Sequence, residues 1–152
     1  MKMFNKILVP LDGSEHSKMA LETAINVAKK FGGKITLINV YSTSFISSLS
    51  MYNEESEVVT AQEISRVAEA IRETRAGILA QGKKTVEAED LPVTTLLKEG
   101  HVVQEIVKTA REGRFDLLVV GAKGVSKIKE MVLGSVTEKV VRNAPCTIMV
   151  VK

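Results

Sequence analysis

The sequence predicts an α/β domain built around a parallel β-sheet, because two patterns alternate along its length. Short apolar runs typical of buried strands are followed by longer segments whose apolar residues recur at helical spacing. The length of 152 residues corresponds to a single domain, residues 1–152, which could bury roughly 70% of the surface of its unfolded chain. Strands joined by right-handed helical crossovers form a doubly wound sheet, and five strands are predicted.

The first crossover unit is predicted from the N-terminal residues. A strand at residues 3–10 precedes a helix that Asp12 or Ser14 can cap. Gly32-Gly33 ends this helix, and a second strand follows at residues 34–40. The apolar face of the helix consists of Ala20, Leu21, Ala24, Ile25, Val27, Ala28 and Phe31.

The middle of the chain is the least regular part of the pattern. Residues 41–55 are rich in serine and lack clear periodicity, which predicts a long mobile loop within the domain. A long helix follows, with Gly82 as its predicted end. Its apolar stripe consists of Val58, Ala61, Ile64, Val67, Ala68, Ile71, Ile78 and Leu79.

The remaining residues return to strict alternation. The predicted elements are a strand at residues 92–99, a helix at 101–112, a strand at 115–121, a helix at 134–143 and a strand at 146–151. Gly113 ends the first of these helices. Pro145 separates the second helix from the last strand, because the residue before a proline is pushed out of helical geometry.

Composition excludes several classes of function. Apolar residues make up 45% of the chain, and no apolar stretch approaches the roughly 20 residues that span a bilayer. No signal peptide is predicted either, so we expect a cytoplasmic protein without a membrane partner. The net charge of +3 is small, and only four Phe and two Tyr are available for base stacking, so nucleic acid is not an expected partner.

Cysteine and histidine offer little chemistry. Cys146 is the only cysteine in the sequence, so no internal disulfide can form, and its place in an apolar strand predicts an inert, buried thiol. His16 and His101 are the only histidines, and no cluster has the spacing of a structural zinc site. His101 is expected to start a helix in contact with solvent.

A glycine-rich turn near the C-terminus is the most informative motif. The strand at residues 115–121 opens into Gly121-Ala122-Lys123-Gly124, and nine residues (125–133) separate this turn from Gly134-Ser135 at a helix start. Glycines let backbone N–H groups approach an anion, and a helix N-terminus adds unpaired donors. The spacing matches neither a Walker-type loop nor a dinucleotide fingerprint. It predicts a phosphate-binding turn of another kind.

The spacing G-x-x-G, nine residues, G-[ST] resembles that of the ATP-binding members of the universal stress protein family. Residues 6–14 (KILVPLDGS) resemble the opening strand and Asp-bearing turn of that family, and residues 145–151 (PCTIMVV) resemble its closing strand. The resemblance implies strand order 3-2-1-4-5 with helices on both faces, an architecture like that of the adenine nucleotide alpha hydrolases. A crevice then forms beyond strands 1 and 4, where the winding reverses, so the turns at Asp12 and Gly121 converge.

The resemblance further implies that an adenine nucleotide lies across this crevice. The nucleotide could be ATP, ADP or AMP. Pro10 would shape the first turn. Asp12 would accept hydrogen bonds from ribose hydroxyls or help to hold Mg²⁺ or Mn²⁺ against the phosphates. The backbone of Val40 would meet the edge of the adenine.

The glycine-rich turn would hold the other end of the nucleotide. The resemblance implies that Gly121 and Gly124 let the chain pass close to the ribose and phosphates. Gly134, Ser135 and Val136 would present N–H groups to the phosphates, with the Ser135 hydroxyl as a further donor.

Each of these residues also has a plainer interpretation. Asp12 could serve only as a helix N-cap, Gly121 could simply end a strand, and Gly134-Ser135 could simply cap a helix. Lys123 is more typical of a solvated turn than of a phosphate ligand. Jointly, the spacing and the resemblance favour nucleotide binding.

Three functions stay open at this point. The first is an ATP-binding regulatory module of the stress response with little or slow hydrolysis, because no general base for attack on a phosphate is evident. The second is a slow ATPase that uses Asp12 with bound Mg²⁺ or Mn²⁺. The third is a nucleotide-free interaction protein. A homodimer is expected under all three, because the last strand, Thr147–Val151, would present an apolar sheet edge to a second copy. The downstream protein partner is not indicated.

Overall fold

The computed structural model describes residues 3–49, 60–124 and 133–152. Its strands are β1 (Lys6–Pro10), β2 (Lys34–Tyr41), β3 (Val93–Glu99), β4 (Leu117–Gly121) and β5 (Thr147–Val151). They form one parallel five-stranded sheet in the order β3-β2-β1-β4-β5, which confirms the predicted order 3-2-1-4-5 and the doubly wound α/β fold. The strand β5 lies at one edge of the sheet.

Helices cover both faces of this sheet, as predicted. They are α1 (Glu15–Phe31), α2 (Ser44–Leu49), α3 (Ala61–Glu87), α4 (Val102–Glu112) and α5 (Ser135–Asn143). Helices α1 and α3 pack against one face, whereas α4 and α5 pack against the other. Among the described residues, no helix combines the length and the apolar character needed to cross a membrane.

The central strand β1 shows why the strands are apolar along their whole length. Ile7 and Val9 belong to the core under α1 and α3, whereas Leu8 between them belongs to the core under α4 and α5. Successive side chains of a strand point to opposite faces, so a strand covered on both sides needs apolar residues at every position. The continuous apolar runs in the sequence are thus a consequence of the two-sided core.

Helix α2 overturns part of the loop prediction for residues 41–55. Strand β2 extends through Tyr41, and Ser44–Leu49 forms a short helix where a loop is predicted. The N–H of Ile46 donates to the Thr43 carbonyl at 3.0 Å, and the Ile46 side chain is only 4% exposed. The buried Ile46 side chain anchors a helix that is too short to show periodicity. Residues 50–55 of the predicted loop lie outside the described residues.

The prediction that Gly82 ends α3 is wrong. The helix continues to Glu87, and Gly82 is buried in its interior. A Cβ added at Gly82 would lie 2.5 Å from Leu11 Cδ1 and 3.0 Å from Leu37 Cδ1, so any side chain would collide with the core. The glycine is required because α3 approaches the sheet closely, and not because the chain turns there.

Two helix starts follow from local sequence. Thr60 and Glu63 form a capping box at α3, in which each side chain accepts the backbone N–H of the other, at 3.2 and 2.8 Å. Val58 of the predicted stripe lies outside the described residues. His101 caps α4 by accepting the N–H of Gln104 at Nδ1, at 3.4 Å, and is exposed to solvent, as predicted.

Candidate functional site

A cavity of about 290 Å³ opens beyond the carboxyl ends of β1, β2 and β4, beside the N-terminus of α5. This volume is near the lower end of the range of roughly 300–1,000 Å³ typical of small-molecule sites. Every residue predicted for the site lines it, namely Pro10, Asp12, Val40, Gly121, Gly124, Gly134, Ser135 and Val136. The fold thus brings distant parts of the sequence together, while the contacts of these residues with a ligand stay a prediction.

The cavity exists because the chain leaves the sheet in opposite directions after β1 and β4. The two strands are neighbours, with Ile7 opposite Leu117 and Leu8 opposite Leu118. After β1 the chain continues into α1 on one face, and after β4 it continues toward α5 on the other face. The two departing connections separate and leave a crevice between them.

Asp12 holds the first turn and keeps one oxygen available. Its Oδ1 accepts the N–H of Ser14 at 2.9 Å, and Ser14 in turn caps α1 by accepting the N–H of Ser17 at 3.2 Å. The interpretation of Asp12 as the helix N-cap is therefore wrong, because Ser14 has that role. Asp12 Oδ2 faces Gly124 and has no hydrogen-bond partner in the described part of the chain.

Gly121 is needed for packing within the protein, and Gly124 lies directly beside the Asp12 carboxylate. A Cβ at Gly121 would lie 2.7 to 2.8 Å from backbone and Cβ atoms of His16, so the end of β4 can contact the start of α1 only without a side chain. A Cβ at Gly124 would lie 2.9 Å from Asp12 Oδ2. Both glycines therefore shape the cavity wall before any ligand is considered.

Gly134 is different, because nothing around it in the described structure demands a glycine. Its φ of −57° is accessible to any residue, and an added Cβ would find its nearest neighbours, Ala122 O and Lys123 Cα, at an ordinary 3.5 Å. The residue caps α5 without a side-chain hydrogen bond. The N–H groups of Ser135 and Val136 follow in the first turn, where an α-helix offers no intrahelical acceptor. They give the cavity a set of donors suited to an anion.

Two hydrogen bonds fix the start of α5 to the end of β4. The N–H of Gly134 donates to the Ala122 carbonyl at 2.8 Å, and Thr137 Oγ1 donates to the Gly121 carbonyl, also at 2.8 Å. Thr137 is buried and lines the cavity. The sequence analysis missed it, although a hydroxyl in the first turn after the Gly134-Ser135 pair was an available signal.

Arg75 and Lys123 place positive charge in the cavity wall. Both line the cavity, and neither has an ion-pair partner among the described residues. Asp12 is the carboxylate in the described lining. Arg75 lies in α3, far from either motif in sequence, so no local pattern could have identified it. Lys123 is expected to be solvated, but the structure gives it a half-buried place in the wall.

Asn39 is a further cavity residue that was not predicted from the sequence. It is 2% exposed, and its Nδ2 donates to the Leu11 carbonyl at 2.6 Å. Its Oδ1 is buried without a partner in the described part of the structure. A single polar residue inside an apolar strand was the available signal.

The amino end of the sheet holds the only thiol of the chain. Cys146 is half-buried rather than buried, just before β5. Burial, and to a smaller extent the charge of Asp116, raise the pKa of the Cys146 thiol. A raised pKa keeps the thiol protonated, which fits the predicted inert character. Across the described residues, no cluster of three or more Cys, His or acidic side chains could hold a metal ion.

Sequence comparison places this chain among known proteins. The family model described as the universal stress protein family matches residues 3–152. The chain is 30% identical over 152 residues to universal stress protein YxiE of Bacillus subtilis, which covers 99% of this chain and 100% of the relative. It is 33% identical over 150 residues to universal stress protein MJ0531 of Methanocaldococcus jannaschii, covering 99% and 83% respectively.

Solved structures share the fold over nearly the whole chain. The protein MJ0577 has a TM-score of 0.81 at 27% identity, covering 99% of this chain and 96% of that one. A universal stress protein in complex with cAMP has a TM-score of 0.68 at 23% identity, covering 97% of each chain. A universal stress protein family protein from Arabidopsis thaliana with AMP bound also has a TM-score of 0.68, at 18% identity, covering 97% and 91%. The last two likenesses establish the fold alone.

Proposed function

Because this chain belongs to the universal stress protein family, we propose that it binds an adenine nucleotide in the cavity beside α5. In this proposal it acts in the cytoplasm as an ATP-dependent regulatory module of the stress response, with little or slow hydrolysis. The nucleotide is a bound signal that favours one conformation over another, and not a substrate that is turned over rapidly.

The observation that carries this proposal is the convergence of three kinds of group in one cavity. The first-turn N–H groups of α5 supply anion donors, Asp12 supplies a carboxylate oxygen, and the end of β2 supplies a backbone edge at Val40. A nucleotide carries the matching sequence of phosphate, ribose and base. The cAMP-bound and AMP-bound proteins of the same fold agree with this ligand class, but the proposal rests on the cavity.

Each end of the nucleotide has a proposed location. The phosphates lie against the N-terminus of α5, within reach of Ser135 and of the positive charge of Arg75 and Lys123. The ribose lies against Asp12, whose free Oδ2 accepts hydroxyl hydrogens. The adenine edge meets the backbone of Val40, whose side chain is buried and so cannot itself read the base.

Slow hydrolysis follows from the groups that surround the phosphate end. Attack on a phosphate needs a base that takes a proton from water, and Asp12 is the one carboxylate in the described lining. Its Oδ1 is already bonded to Ser14, and its Oδ2 is assigned to the ribose. His101 accepts a helix N–H instead of facing the cavity.

A divalent ion fits the same site as a second candidate function. Mg²⁺ is often held by one carboxylate together with the phosphates of the substrate, and Asp12 Oδ2 is such a carboxylate oxygen. The ion, Mg²⁺ or Mn²⁺, would neutralise phosphate charge there. If the protein is a slow ATPase, phosphate release will depend on the metal and disappear in Asp12→Ala, whereas an unchanged release would assign the activity to a contaminant.

The test of nucleotide binding is calorimetric titration of protein stripped of bound nucleotide, with ATP, ADP and AMP. In Gly134→Val the added Cβ fits, but the branched side chain extends toward the cavity, so we expect binding to be lost while folding is kept. Gly77→Val is the matched control, because Gly77 lies in α3 outside the cavity and an added Cβ there meets nothing within 4 Å. Failure of the wild type to bind any of the three nucleotides would leave the nucleotide-free interaction protein as the function.

We also propose a homodimer through the edge strand β5. Ile148, Met149, Val150 and Val151 are only half-buried, and their strand is the last in the sheet. A second copy could extend the sheet across a two-fold axis and cover them. Met149→Lys should then shift the mass measured by sedimentation from dimer to monomer. A wild type that is monomeric at micromolar concentration would contradict the proposal.

A further inference from the structure

Asn39 is an unusual residue for its place in the fold. It lies near the carboxyl end of β2, where the side chain is enclosed by the core and only 2% exposed. Valine and isoleucine are the ordinary residues of such a buried strand. Asn39 instead leaves its Oδ1 buried without a partner in the described structure, which costs free energy. The other half of the amide, Nδ2, does have a partner, the Leu11 carbonyl.

Nδ2 continues the pairing of β1 and β2 after the strands separate. The last residue pair of the two strands is Pro10 opposite Ile38. The N–H of Leu11 still donates to the Ile38 carbonyl at 2.9 Å, and the Leu11 carbonyl accepts from Asn39 Nδ2 at 2.6 Å. Both backbone polar groups of Leu11 are therefore held by the end of β2.

This anchoring constrains the peptide unit that leads into Asp12. The Leu11 carbonyl belongs to the same planar peptide unit as the Asp12 N–H, so fixing the carbonyl fixes the orientation in which the chain enters Asp12. From that starting point Asp12 Oδ1 reaches the Ser14 N–H and Oδ2 faces Gly124. Asn39 also directly precedes Val40, whose backbone forms the other part of the cavity. One side chain thus connects both parts.

We propose that Asn39 is a positioning residue that sets the distance and orientation between the base-binding backbone of Val40 and the ribose-binding carboxylate of Asp12. The inference rests on the proposed function for its effect on nucleotide affinity. Its structural part, the placing of Asp12 by Asn39, does not depend on any nucleotide.

The main test compares Asn39→Asp with the wild type by calorimetric titration with ATP at several pH values. At neutral pH the introduced carboxylate cannot donate to the Leu11 carbonyl, so affinity should fall about tenfold. At acidic pH the introduced carboxyl becomes protonated and can donate again, so the ratio of variant to wild-type Kd should fall toward one. Asn39→Ala, which cannot donate and adds no charge to repel the phosphates, should show the tenfold loss at every pH. The described titratable residues in the same lining are Asp12, Tyr41, Arg75 and Lys123, and taking this ratio at each pH removes their contribution.

The matched control is Asn143→Asp. Asn143 Nδ2 also donates to a backbone carbonyl, that of Lys139 at 2.7 Å, but at the far end of α5 from the cavity. This control should bind ATP as the wild type does at every pH. A tenfold loss that does not recover on acidification would overturn the positioning role. It would mean that the variant weakens the fold in general, because protonation restores the one hydrogen bond but not a damaged fold.

A second variant and a nucleotide-free readout separate this inference from the proposed function. Asn39→Ala removes the donor without adding charge, and hydrogen exchange of the Ser14 amide reports on the Asp12 turn directly. We expect that amide to exchange about tenfold faster in Asn39→Ala, with the Ala122 amide, which donates to Val151, as the unaffected reference. Unchanged Ser14 exchange would overturn the inference even if ATP binds. If the wild type fails to bind ATP, the proposed function is overturned. The exchange rate of the Ser14 amide would still decide whether Asn39 places Asp12.

Discussion

At the amino end of the sheet Asp116 and Lys6 spend their hydrogen-bonding capacity on the protein's own backbone, whereas at the carboxyl end several charged groups keep unused capacity. Asp116 accepts the backbone N–H groups of Asn5 and Lys6 at 3.1 and 3.2 Å. The Lys6 ammonium donates to the Gly113 carbonyl and lies 4.9 Å from the centre of the Phe115 ring. Acid, base and aromatic ring all serve to close the structure at this end.

The carboxyl end has the same residue types in a different state. Asp12 has one oxygen bonded and one without a partner in the described structure, and Arg75 and Lys123 form no ion pairs there. The first turn of α5 adds N–H groups that helix geometry leaves without acceptors. Charge alone therefore does not mark a site. The useful signal is a charged or hydrogen-bonding group that has no partner within the protein.

Stability should change most at Gly121, where the fold leaves no room for a side chain. Gly121→Ala would force a Cβ to within 2.7 Å of the His16 backbone, so we expect a loss of about 1–3 kcal/mol in the free energy of unfolding. Gly134→Ala is the control, because its Cβ fits, and should change stability by less than about 0.5 kcal/mol. Urea unfolding measures both. Equal losses of stability in the two variants would show that Gly121 is no more constrained by packing than Gly134.

The next effect separates the two carboxylates. Asp116→Ala removes the acceptor of two backbone N–H groups and should cost about 1–2 kcal/mol of stability without changing ATP affinity. Asp12→Asn keeps an oxygen for the Ser14 N–H, so stability should hold while ATP affinity falls. Thermal unfolding and calorimetric titration of the same samples give both quantities. A variant that lost stability and affinity together would contradict the division of roles between the two ends.

A smaller effect is expected at the cation contributed by α3. Arg75→Gln should weaken ATP binding about threefold to tenfold, and AMP binding less, because AMP carries fewer charges. The loss should shrink at high salt, where such interactions are screened. Arg72→Gln is the control, since Arg72 is exposed on the same helix outside the cavity lining. Identical behaviour of the two variants would remove Arg75 from the site.

The smallest effect concerns the reactivity of Cys146 at the amino end. Burial raises the pKa of the thiol, and the Asp116 charge adds to this, so less thiolate exists at a given pH than for a free cysteine. Alkylation by iodoacetamide at pH 8 should therefore be slower than that of a cysteine peptide, and Asp116→Ala should accelerate it by less than about threefold. Mass spectrometry follows the reaction. Alkylation as fast as in the peptide would show that the thiol is not protected.

Much of the fold could be predicted because its determinants are local or periodic. The alternation of Ile7, Leu8 and Val9 between two cores reveals a covered strand, and Gly32 takes the left-handed conformation, with φ of 72°, that ends α1. The strand order came from the family resemblance, since periodicity contains no information about neighbours. Gly82 was misjudged because its determinants, Leu11 and Leu37, lie on other elements.

The site divides in the same way. The glycine-rich turn and Asp12 could be predicted because each lies within a few residues of the end of a strand, where a tight turn restricts the residue types. Arg75 was not visible, because no local pattern relates it to either motif. Asn39 and Thr137 each left a weak local signal, but their roles depend on partners distant in sequence, the Leu11 carbonyl and the Gly121 carbonyl. A local pattern cannot encode a contact whose partner is supplied by the fold.

The hydrogen bonds that join α5 to the end of β4 have a consequence for engineering this scaffold. Gly134 donates to Ala122, and Thr137 donates to Gly121, so two backbone carbonyls at the end of β4 fix where α5 begins. We therefore expect a designed protein that reuses the proposed nucleotide site to need Thr137 as well as the glycines, because its hydroxyl supplies one of these two bonds.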